Sequence, residues 1–414
     1  MKLLILGGGS GQLSAIKKAK EMGHRVIVSD YYADVPGKKI ADCSEMVSTF
    51  DIEGNIEVAR KHDVDGIMTA GTDQPVYTAA AVAAELDLPS HLSPETARAV
   101  TNKREMKNNF RRLDIPTVNF KILPCDFSLE ELDELTFPVV TKPLDSQGQR
   151  GVFRLTSPRE VKAKMAEVLK FSREEEILVE EYYDSSEITV SGWVCKGQPY
   201  ILTVTDRVTF ERSPHIGICA AHIYPSSFLE DYHSEIEKIT REIVAGFKIV
   251  EGPIYFQMLV GADGIRVNEI ACRIGGAYEG DFMPRLVGVD ILEMMVALSL
   301  GYEVGCEKLQ NYGKFPAEKW LSVQLFFAEP GQVCSRSSTA EITGLPGVFQ
   351  ADFNFEPGDE IGLIENATER AGYFIVEAAS RGELKQRISQ AYDRLEICDE
   401  SGHNLVLREA GEVL

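Results

Sequence analysis

A lysine at the end of a predicted strand is followed at once by a glycine-rich loop in the segment FPVVTKPLDSQGQRG, residues 137–151. The strand ends near Lys142, and the loop contains Ser146, Gln147, Gly148 and Gly151. The lysine supplies a point positive charge and the loop supplies free backbone N–H groups, which together can hold a polyphosphate. The segment lacks the GxxxxGK[ST] pattern of a Walker A loop, and its glycines predict a mobile flap.

A second group of reactive side chains lies in GPIYFQMLVGADGIRVNEIACRIGG, residues 252–276. Apolar residues alternate on both sides of a Gly-Ala-Asp-Gly turn, which predicts a β-hairpin. The hairpin places Gln257 and Glu269 on neighbouring strands and brings Arg273 to its mouth, so that a carboxamide, a carboxylate and a guanidinium converge. The alternative is an ordinary ion pair between Glu269 and Arg273 at the rim.

Length and charge limit the classes of protein and partner. The chain has 414 residues, more than one hydrophobic core usually supports, so we expect two or three domains. A formal net charge of -21 disfavours nucleic acids and anionic membranes as partners, whereas a small anionic ligand needs only a few local cations. The N-terminal apolar run is too short for a signal peptide and no run approaches a membrane span, so we expect a cytoplasmic protein.

The eight cysteines are scattered, without a CxxC pair or a Cys/His spacing suited to zinc. We therefore expect them to pack as small apolar residues in a reducing compartment.

Residues 1–100 carry the alternating pattern of a parallel sheet with helices. Glycine turns follow two predicted strands, at residues 7–11 and 71–73, and such turns hold ligands at the carboxyl edge of a sheet. An alternative is a dinucleotide site with Asp30 on a ribose. Position 12, where GxGxxG has its third glycine, is Gln12, and this weakens the alternative.

Two further segments complete the pattern. A predicted helix over residues 102–113 carries Lys103 and four more cations, and a predicted strand runs from Glu176 into the pair Tyr182-Tyr183. Arg207 follows a later strand and could bind a carboxylate, although arginines on long loops are more often solvated.

The order of these segments resembles that of the ATP-grasp ligases over nearly the whole chain. The matching segments are the N-terminal glycine turn, TNKREMKNNFRRLDIP, FPVVTKP, SQGQRGV, ILVEEYYDSSE and VNEIACRIGG. The resemblance implies a mixed α/β and α+β fold. It consists of a half-Rossmann domain (1–100), an ATP-grasp domain (101–312) with a lid (101–190) and a catalytic subdomain (191–312), and a small α+β domain (313–414).

The resemblance also implies ATP and a magnesium or manganese ion as cofactors. The residues at the matching positions are Lys103 and Lys142 for the nucleotide phosphates, the flap from Ser146 to Gly151 for the β- and γ-phosphates, Glu180, Glu181, Tyr182 and Tyr183 for adenine, and Glu187 for the ribose. At the catalytic end, Glu269 matches a metal ligand and Arg273 matches the arginine that stabilises an acyl phosphate.

The chain departs from the family pattern at two places. Gln257 stands where the family commonly has an acid that binds the metal, and Ala271 and Cys272 replace Asn and Pro in ExNPR. Loss of one carboxylate weakens a magnesium site, so a protein that binds ATP without turnover is one alternative.

The double glycine after Arg273 is closer to ligases that join carboxylates to amines, including amino acid ligases, and the stretch 277–285 is expected to be a loop. Substrate contacts are expected from Gly9, Ser10, Thr72, Asp73, Arg207, Arg273, Gly275 and Gly276. The resemblance thus implies an ATP-dependent, ADP-forming carboxylate–amine ligase that acts through an acyl phosphate on a small amino acid or related carboxylate, with an expected homodimer. Alternatives are a purine-biosynthesis ligase or carboxylase, including a carbamoyl phosphate synthetase-like enzyme, and an NAD-linked oxidoreductase.

Overall fold

The computed structural model describes residues 1–212, 215–310 and 319–408. The N-terminal part contains β1 (Lys2–Leu6), α1 (Leu13–Glu21), β2 (Arg25–Ser29), α2 (Pro36–Ile40), β3 (Cys43–Glu45), α3 (Ile52–His62), β4 (Gly66–Met68), α4 (Pro75–Glu85) and α5 (Pro94–Thr101). Its four strands are parallel in the order β3-β2-β1-β4. This confirms the half-Rossmann arrangement, and the glycine turns after β1 and β4 share one edge of the sheet because these strands are neighbours.

The lid contains α6 (Lys103–Arg112), β5 (Phe120–Pro124), β6 (Val139–Pro143), β7 (Phe153–Leu155), α7 (Pro158–Leu169) and β8 (Glu176–Glu181). Its strands are antiparallel in the order β7-β6-β8-β5. The Asn102 side chain accepts hydrogen bonds from the backbone N–H groups of Arg104 and Glu105, and this cap starts α6 at Lys103. The cap thereby fixes the position of Lys103 at the first turn.

The catalytic part contains β9 (Ser185–Cys195), β10 (Gln198–Arg212), β11 (His215–Tyr224), α8 (Leu229–Gly246), β12 (Gly252–Gly261), β13 (Gly264–Ala271), α9 (Glu279–Val287), α10 (Ile291–Ser299) and α11 (Glu307–Gln310). The strand order is β13-β12-β9-β10-β11, and β11 meets β7 of the lid at the pair His215 and Phe153. The expected lid boundary at residues 190/191 falls inside β9, and the boundary at 312/313 lies outside the described residues.

The C-terminal part contains β14 (Trp320–Phe326), β15 (Gly331–Gln332), β16 (Ser335–Arg336), α12 (Thr339–Thr343), β17 (Val348–Phe353), β18 (Glu360–Ile361), β19 (Gly372–Ala378), α13 (Arg381–Arg394) and β20 (Ile397–Cys398). β14 pairs with both β11 and β19. Strands β14, β19 and β17 therefore extend the catalytic sheet, whereas β15 pairs with β18 and β16 with β20 in two small separate sheets.

Two expectations from the sequence are wrong. Residues 279–287 form helix α9 and not a loop, because Phe282, Met283 and Leu286 are buried in the core that α10 shares. The cysteines are not all free, since Cys195 and Cys306 are joined by a disulfide across 111 residues. In the described parts of the chain, no helix is both long and apolar enough to cross a membrane.

Candidate active site

A cleft lies between the lid strands and the catalytic strands, with about 1030 Å³ of space that is partly open to solvent. Most of the predicted site residues line it: Lys103, Lys142, Ser146, Gln147, Gly148, Glu180, Glu181, Tyr182, Tyr183, Glu187, Arg207, Gln257 and Glu269. These residues come from positions up to 166 apart in the chain, as the separation of Lys103 and Glu269 shows.

A buried carboxylate orients the strand lysine. Glu180 on β8 lies 2.6 Å from Lys142 Nζ through one oxygen and 2.6 Å from Lys107 Nζ through the other. Burial alone would raise the pKa of Glu180, but the two ammonium charges outweigh burial and lower that pKa to about 2. Lys142 also donates to Asn268 Oδ1 at 2.8 Å. The Lys142 ammonium group is therefore held in one place before any ligand binds.

Lys107 and Asn268 were not singled out from the sequence. In the sequence, Lys107 is one of five cations in its helix, and only its almost complete burial in the fold sets it apart. It donates to Thr117 Oγ1 at 2.7 Å in addition to pairing with Glu180. Asn268 precedes Glu269 on β13, so its prediction needed the register of the two sheets across the cleft.

Gln257 and Glu269 lie on neighbouring strands of the hairpin, as predicted. Gln257 on β12 lies directly opposite Glu269 on β13. Lys103 Nζ lies 3.1 Å from Glu269 Oε1 and donates to the Ser146 carbonyl oxygen at 2.7 Å. Burial would raise the pKa of Glu269, but the charges of Lys103 and Lys142 outweigh burial, so that pKa is lowered and the group is a carboxylate.

The metal-binding capacity of this pair is limited. Among the described residues, no group of three or more His, Cys, Asp or Glu side chains is arranged for a metal ion. Glu269 offers one carboxylate and Gln257 offers one amide oxygen, a donor set that fits Mg²⁺ or Mn²⁺ only when phosphate oxygens supply further ligands. The residues present are compatible with an ion that arrives with a nucleotide.

Arg273 does not lie where the sequence indicated. It neither lines the cleft nor pairs with Glu269, and its guanidinium instead binds Asp73, with Nε 2.7 Å and Nη2 2.6 Å from the same carboxylate oxygen. The rim ion pair between Glu269 and Arg273 is not formed, although Arg273 lies close enough for its charge to lower the pKa of Glu269. Asp73 follows β4, 200 residues earlier in the chain, so no local pattern pointed to this contact.

The flap reaches the same pair. The Gln147 side-chain oxygen accepts hydrogen bonds from the backbone N–H groups of Asp73 and Gln74, just before α4. Arg273, Asp73 and the flap therefore form one connected network beside the cleft. Gly151 was predicted as part of the flap that covers the phosphates. It instead packs against Pro143 and Phe171 and does not line the cleft.

The remaining substrate candidates form a second group next to this network. A Cβ atom at Gly276 would lie 2.7 Å from the Gly71 carbonyl oxygen, so the double glycine permits close contact with the turn that contains Thr72 and Asp73. Ser10, in the turn after Gly9, lies near Tyr278. None of Gly9, Ser10, Thr72, Asp73, Gly275 and Gly276 lines the cleft.

Arg207 is buried and lies within β10, not on a loop. It pairs with Glu187 and donates to the Gly217 carbonyl oxygen at 3.1 Å, and both arginine and glutamate line the cleft. The local geometry offers no support for the dinucleotide alternative. Asp30 accepts from the backbone N–H groups of Gly8 and Tyr32, and Gln12 donates to the Ala70 carbonyl oxygen at 2.6 Å.

Sequence and fold comparisons identify the architecture. Residues 135–281 match the ATP-grasp domain family, and residues 324–398 match L-amino acid ligase C-terminal domain 2. The fold is similar to that of L-amino acid ligase from Bacillus licheniformis, with a TM-score of 0.82, 18% identity and coverage of 96% of this chain and 98% of that one.

Two other solved structures share the fold at similar identity. Phosphoribosylglycinamide synthetase from Anaerococcus prevotii gives a TM-score of 0.75 at 18% identity, covering 96% of this chain and 99% of that one. N5-carboxyaminoimidazole ribonucleotide synthetase from Thermotoga maritima gives 0.71 at 20% identity, covering 96% and 99%. The predicted ATP-grasp domain is thus confirmed for residues 135–281, and the fold of the chain is that of ATP-grasp ligases.

Proposed function

We propose that this chain is an ADP-forming ligase that joins the carboxyl group of a small amino acid, or a related carboxylate, to an amine through an acyl phosphate. The observation that carries the proposal is the cleft in which Lys103, Lys142 and Glu269 face a glycine-rich flap. Phosphoryl transfer requires charge compensation and positioning from the protein rather than a nucleophilic side chain. The lysines and flap amides supply both.

The reaction proceeds in two displacements. A carboxylate oxygen of the acid attacks the γ-phosphorus of ATP, the bond from that phosphorus to the β–γ bridging oxygen breaks, and ADP leaves. The amine nitrogen then attacks the acyl carbon, inorganic phosphate leaves with the former carboxylate oxygen, and the nitrogen loses a proton. In the first step Lys142 and Lys103 neutralise phosphate charge, and the flap amides hold the γ-phosphate.

We assign the nucleotide to the hinge and the lid. Glu181, Tyr182 and Tyr183 follow the buried Glu180 in the chain and line the cleft, which supports assigning them to the adenine ring, and Glu187, which also lines the cleft, is assigned to the ribose. Arg273 is assigned to the acyl phosphate. Its present partner Asp73 keeps the guanidinium buried and charged until substrate binds.

A magnesium or manganese ion would be held by Glu269 and Gln257 together with phosphate oxygens. Such an ion supplies Lewis-acid polarisation of the phosphoryl group. The protein's own contribution at this point is the antiparallel register that sets Gln257 opposite Glu269.

The acid and amine classes are proposed from the C-terminal match. An L-amino acid ligase domain covers residues 324–398, and the L-amino acid ligase from Bacillus licheniformis has a TM-score of 0.82 with this chain. Gln257 favours one competing function, an ATP-binding protein without turnover, because it removes a carboxylate from the metal site. The homodimer and the cytoplasmic location stay predictions.

ADP release measured over all pairs of the twenty L-amino acids, with Mg-ATP present, tests the proposal and separates it from the competing function. We expect at least one pair to release ADP well above the rate with ATP alone. A protein that binds ATP but releases no ADP with any pair would support the competing function.

A further inference from the structure

The C-terminal domain carries an arginine whose hydrogen-bonding capacity is not used within the protein. Arg370 lies between the turn at Ala367–Glu369 and β19. Its Nη1 atom is buried, and no hydrogen bond or ion pair from its guanidinium is present among the described residues. A guanidinium has five N–H donors, and leaving a buried one unpaired is costly, so its position calls for an anionic partner from outside the chain.

The backbone around Arg370 is fixed on both sides. The Arg370 carbonyl oxygen accepts from Asn354 Nδ2 at 2.9 Å, and the next residue, Ala371, donates to the Phe326 carbonyl oxygen at 2.8 Å. On the other side, Ala367 donates its backbone N–H to the Gly148 carbonyl oxygen of the flap at 3.1 Å. The turn that carries Arg370 therefore touches the flap that closes over the cleft.

The surroundings of Arg370 connect it to the substrate side of the site. Burial raises the pKa of Cys219 on β11 and of Tyr278 before α9, and the charge of Arg370 opposes both rises. Tyr278 lies near Ser10, and its ring stacks on Tyr373, three residues after Arg370, with centroids 3.5 Å apart. Arg370 thus stands near the N-terminal loop from which substrate contacts are expected.

The other two arginines of this region differ in their pairing. Arg207 is bound to Glu187 and Arg273 is bound to Asp73, so each already has a carboxylate partner. The charges of Arg207 and Arg370 both lower the pKa of the Cys219 thiol, so both arginines lie near Cys219. Of these three arginines, Arg370 is the one with free donors for a carboxylate that does not react, whereas Arg150, which also has an unpaired Nε, lies in the flap and lines the cleft assigned to the nucleotide.

We propose that Arg370 binds the α-carboxylate of the amine substrate, which makes that substrate an amino acid rather than a simple amine. The inference rests on the proposed function. The acid substrate loses its carboxylate to the acyl phosphate, so a carboxylate that persists through the reaction belongs to the amine. A planar guanidinium binds such a group through two parallel hydrogen bonds.

The test compares the wild-type enzyme with Arg370→Gln and Arg370→Lys, using the amino acid pair that releases ADP fastest. Each amine substrate is offered as the amino acid and as its α-carboxamide. We expect wild type to prefer the amino acid by about 10- to 100-fold in kcat/KM, as loss of a charge-assisted hydrogen bond predicts. In Arg370→Gln the KM for the amino acid rises, so that kcat/KM for the amino acid and for its carboxamide differ by no more than about twofold. The KM for ATP stays within about twofold of the wild-type value.

Arg336→Gln is the matched control. Arg336 belongs to the same domain and pairs with the exposed Glu356 at 2.7 Å away from the cleft, so its loss should leave the preference unchanged. Arg370→Lys keeps the positive charge but lacks the two parallel N–H donors of the guanidinium, so its preference should lie between those of wild type and Arg370→Gln. It also provides the comparison if Arg370→Gln fails to fold. The proposal is overturned if wild type does not distinguish the amino acid from its α-carboxamide. It is also overturned if Arg370→Gln keeps the wild-type preference.

Calorimetry separates this inference from the proposed function. If wild type releases no ADP with any pair, the proposed function fails, and binding of L-amino acids and their amides is measured with a non-hydrolysable ATP analogue present. Binding of an amino acid but not its amide, lost in Arg370→Gln, upholds the inference. Equal binding to both proteins, or no binding to wild type, overturns it.

Discussion

At the scale of single residues, the site is organised by carboxylates that hold cations. Glu180 forms ion pairs with both Lys107 and Lys142, Glu269 pairs with Lys103, and Asp73 pairs with Arg273. Such pairs cost desolvation energy, and they leave the lysine charges already placed when a polyanion arrives. Lys107 and Lys142 thus differ in role, because Lys107 is almost completely buried and Lys142 lines the cleft.

Removing Lys142 or Glu269 should abolish amino-acid-dependent ADP release. Lys142→Ala deletes a cation at the phosphate end of the cleft, and Glu269→Ala deletes the carboxylate that faces Gln257. We expect kcat/KM to fall by at least about 100-fold, comparable to the loss of one stabilising donor. The measurement is ADP release in a coupled assay.

Lys121→Ala is the control for this experiment. Lys121 lies on β5 of the same lid and pairs with Glu134 at 2.6 Å outside the cleft. Its substitution should leave ADP release near the wild-type rate. Retained turnover in either Lys142→Ala or Glu269→Ala would refute the assignment of the site.

Glu279 should make stability depend on pH. Burial raises its pKa to about 7, against an ordinary 4.5, although Arg273 lies close enough to oppose the rise and Asp281 adds to it. A raised folded-state pKa gives stability that is fully present below about pH 4.5 and lost as the pH rises through 7. We expect Glu279→Gln to remove a fall on the order of 3 kcal/mol in the unfolding free energy between pH 5 and 8.

Urea unfolding of wild type and Glu279→Gln at several pH values measures this difference. Tyr255 also faces Glu279, but its pKa is raised far above this range by burial, so it stays neutral throughout. Parallel stability curves for the two proteins across pH 5 to 8 would show that the Glu279 carboxyl is ionised in the same range as in the unfolded chain.

At the scale of elements, sequence patterns predict the strands and fail at contacts between distant segments. Alternation and a Gly-Ala-Asp-Gly turn were sufficient to predict that Gln257 and Glu269 lie on neighbouring strands, but not the bulge between Gln257 and Met258 that sets Gln257 opposite Glu269 rather than Asn268. Helix α9 was missed because Gly280 and Pro284 are poor helix formers. It forms because Gly280 packs closely on Leu292 and the apolar residues after it are buried, which only the tertiary structure reveals.

The flap should depend on Gln147 for its closed position. Its side chain accepts two backbone hydrogen bonds at the start of α4, from Asp73 and Gln74. Gln147→Ala removes both, and we expect a two- to tenfold higher KM for ATP, in line with about 0.5–1.5 kcal/mol for a hydrogen bond. The exposed Gln198→Ala serves as control, and an unchanged KM in Gln147→Ala would show that the flap is held by other contacts.

Lys107 should contribute to stability as well as to the placement of Lys142. It links α6 to β8 through Glu180 and lies next to Thr117, which donates to the Val267 carbonyl oxygen of β13 at 2.8 Å. Lys107→Met leaves Glu180 with one cation, and we expect a loss of about 3–5 kcal/mol in the free energy of unfolding by urea. Lys170→Met, at an exposed position of the lid, should change it by less than about 0.5 kcal/mol. A loss of this small size in Lys107→Met would contradict a structural role for the pair.

At the scale of the whole molecule, the flap is the point where three parts of the chain meet. Gln147 binds the N-terminal domain and Gly148 binds the turn before β19 of the C-terminal domain. The order of motifs predicted the family and the cleft, because each motif is local. The Arg273–Asp73 pair, the disulfide and Arg370 could not be predicted, because each depends on how separate domains are placed against one another.

The central claim is that the acid reacts through an acyl phosphate, and isotope transfer tests it most directly. The acid substrate is labelled with ¹⁸O in its carboxylate and turned over with ATP and the amine, and the inorganic phosphate is analysed by mass spectrometry. The account predicts one ¹⁸O atom in each phosphate released, together with one ADP. Unlabelled phosphate, or AMP in place of ADP, would contradict it.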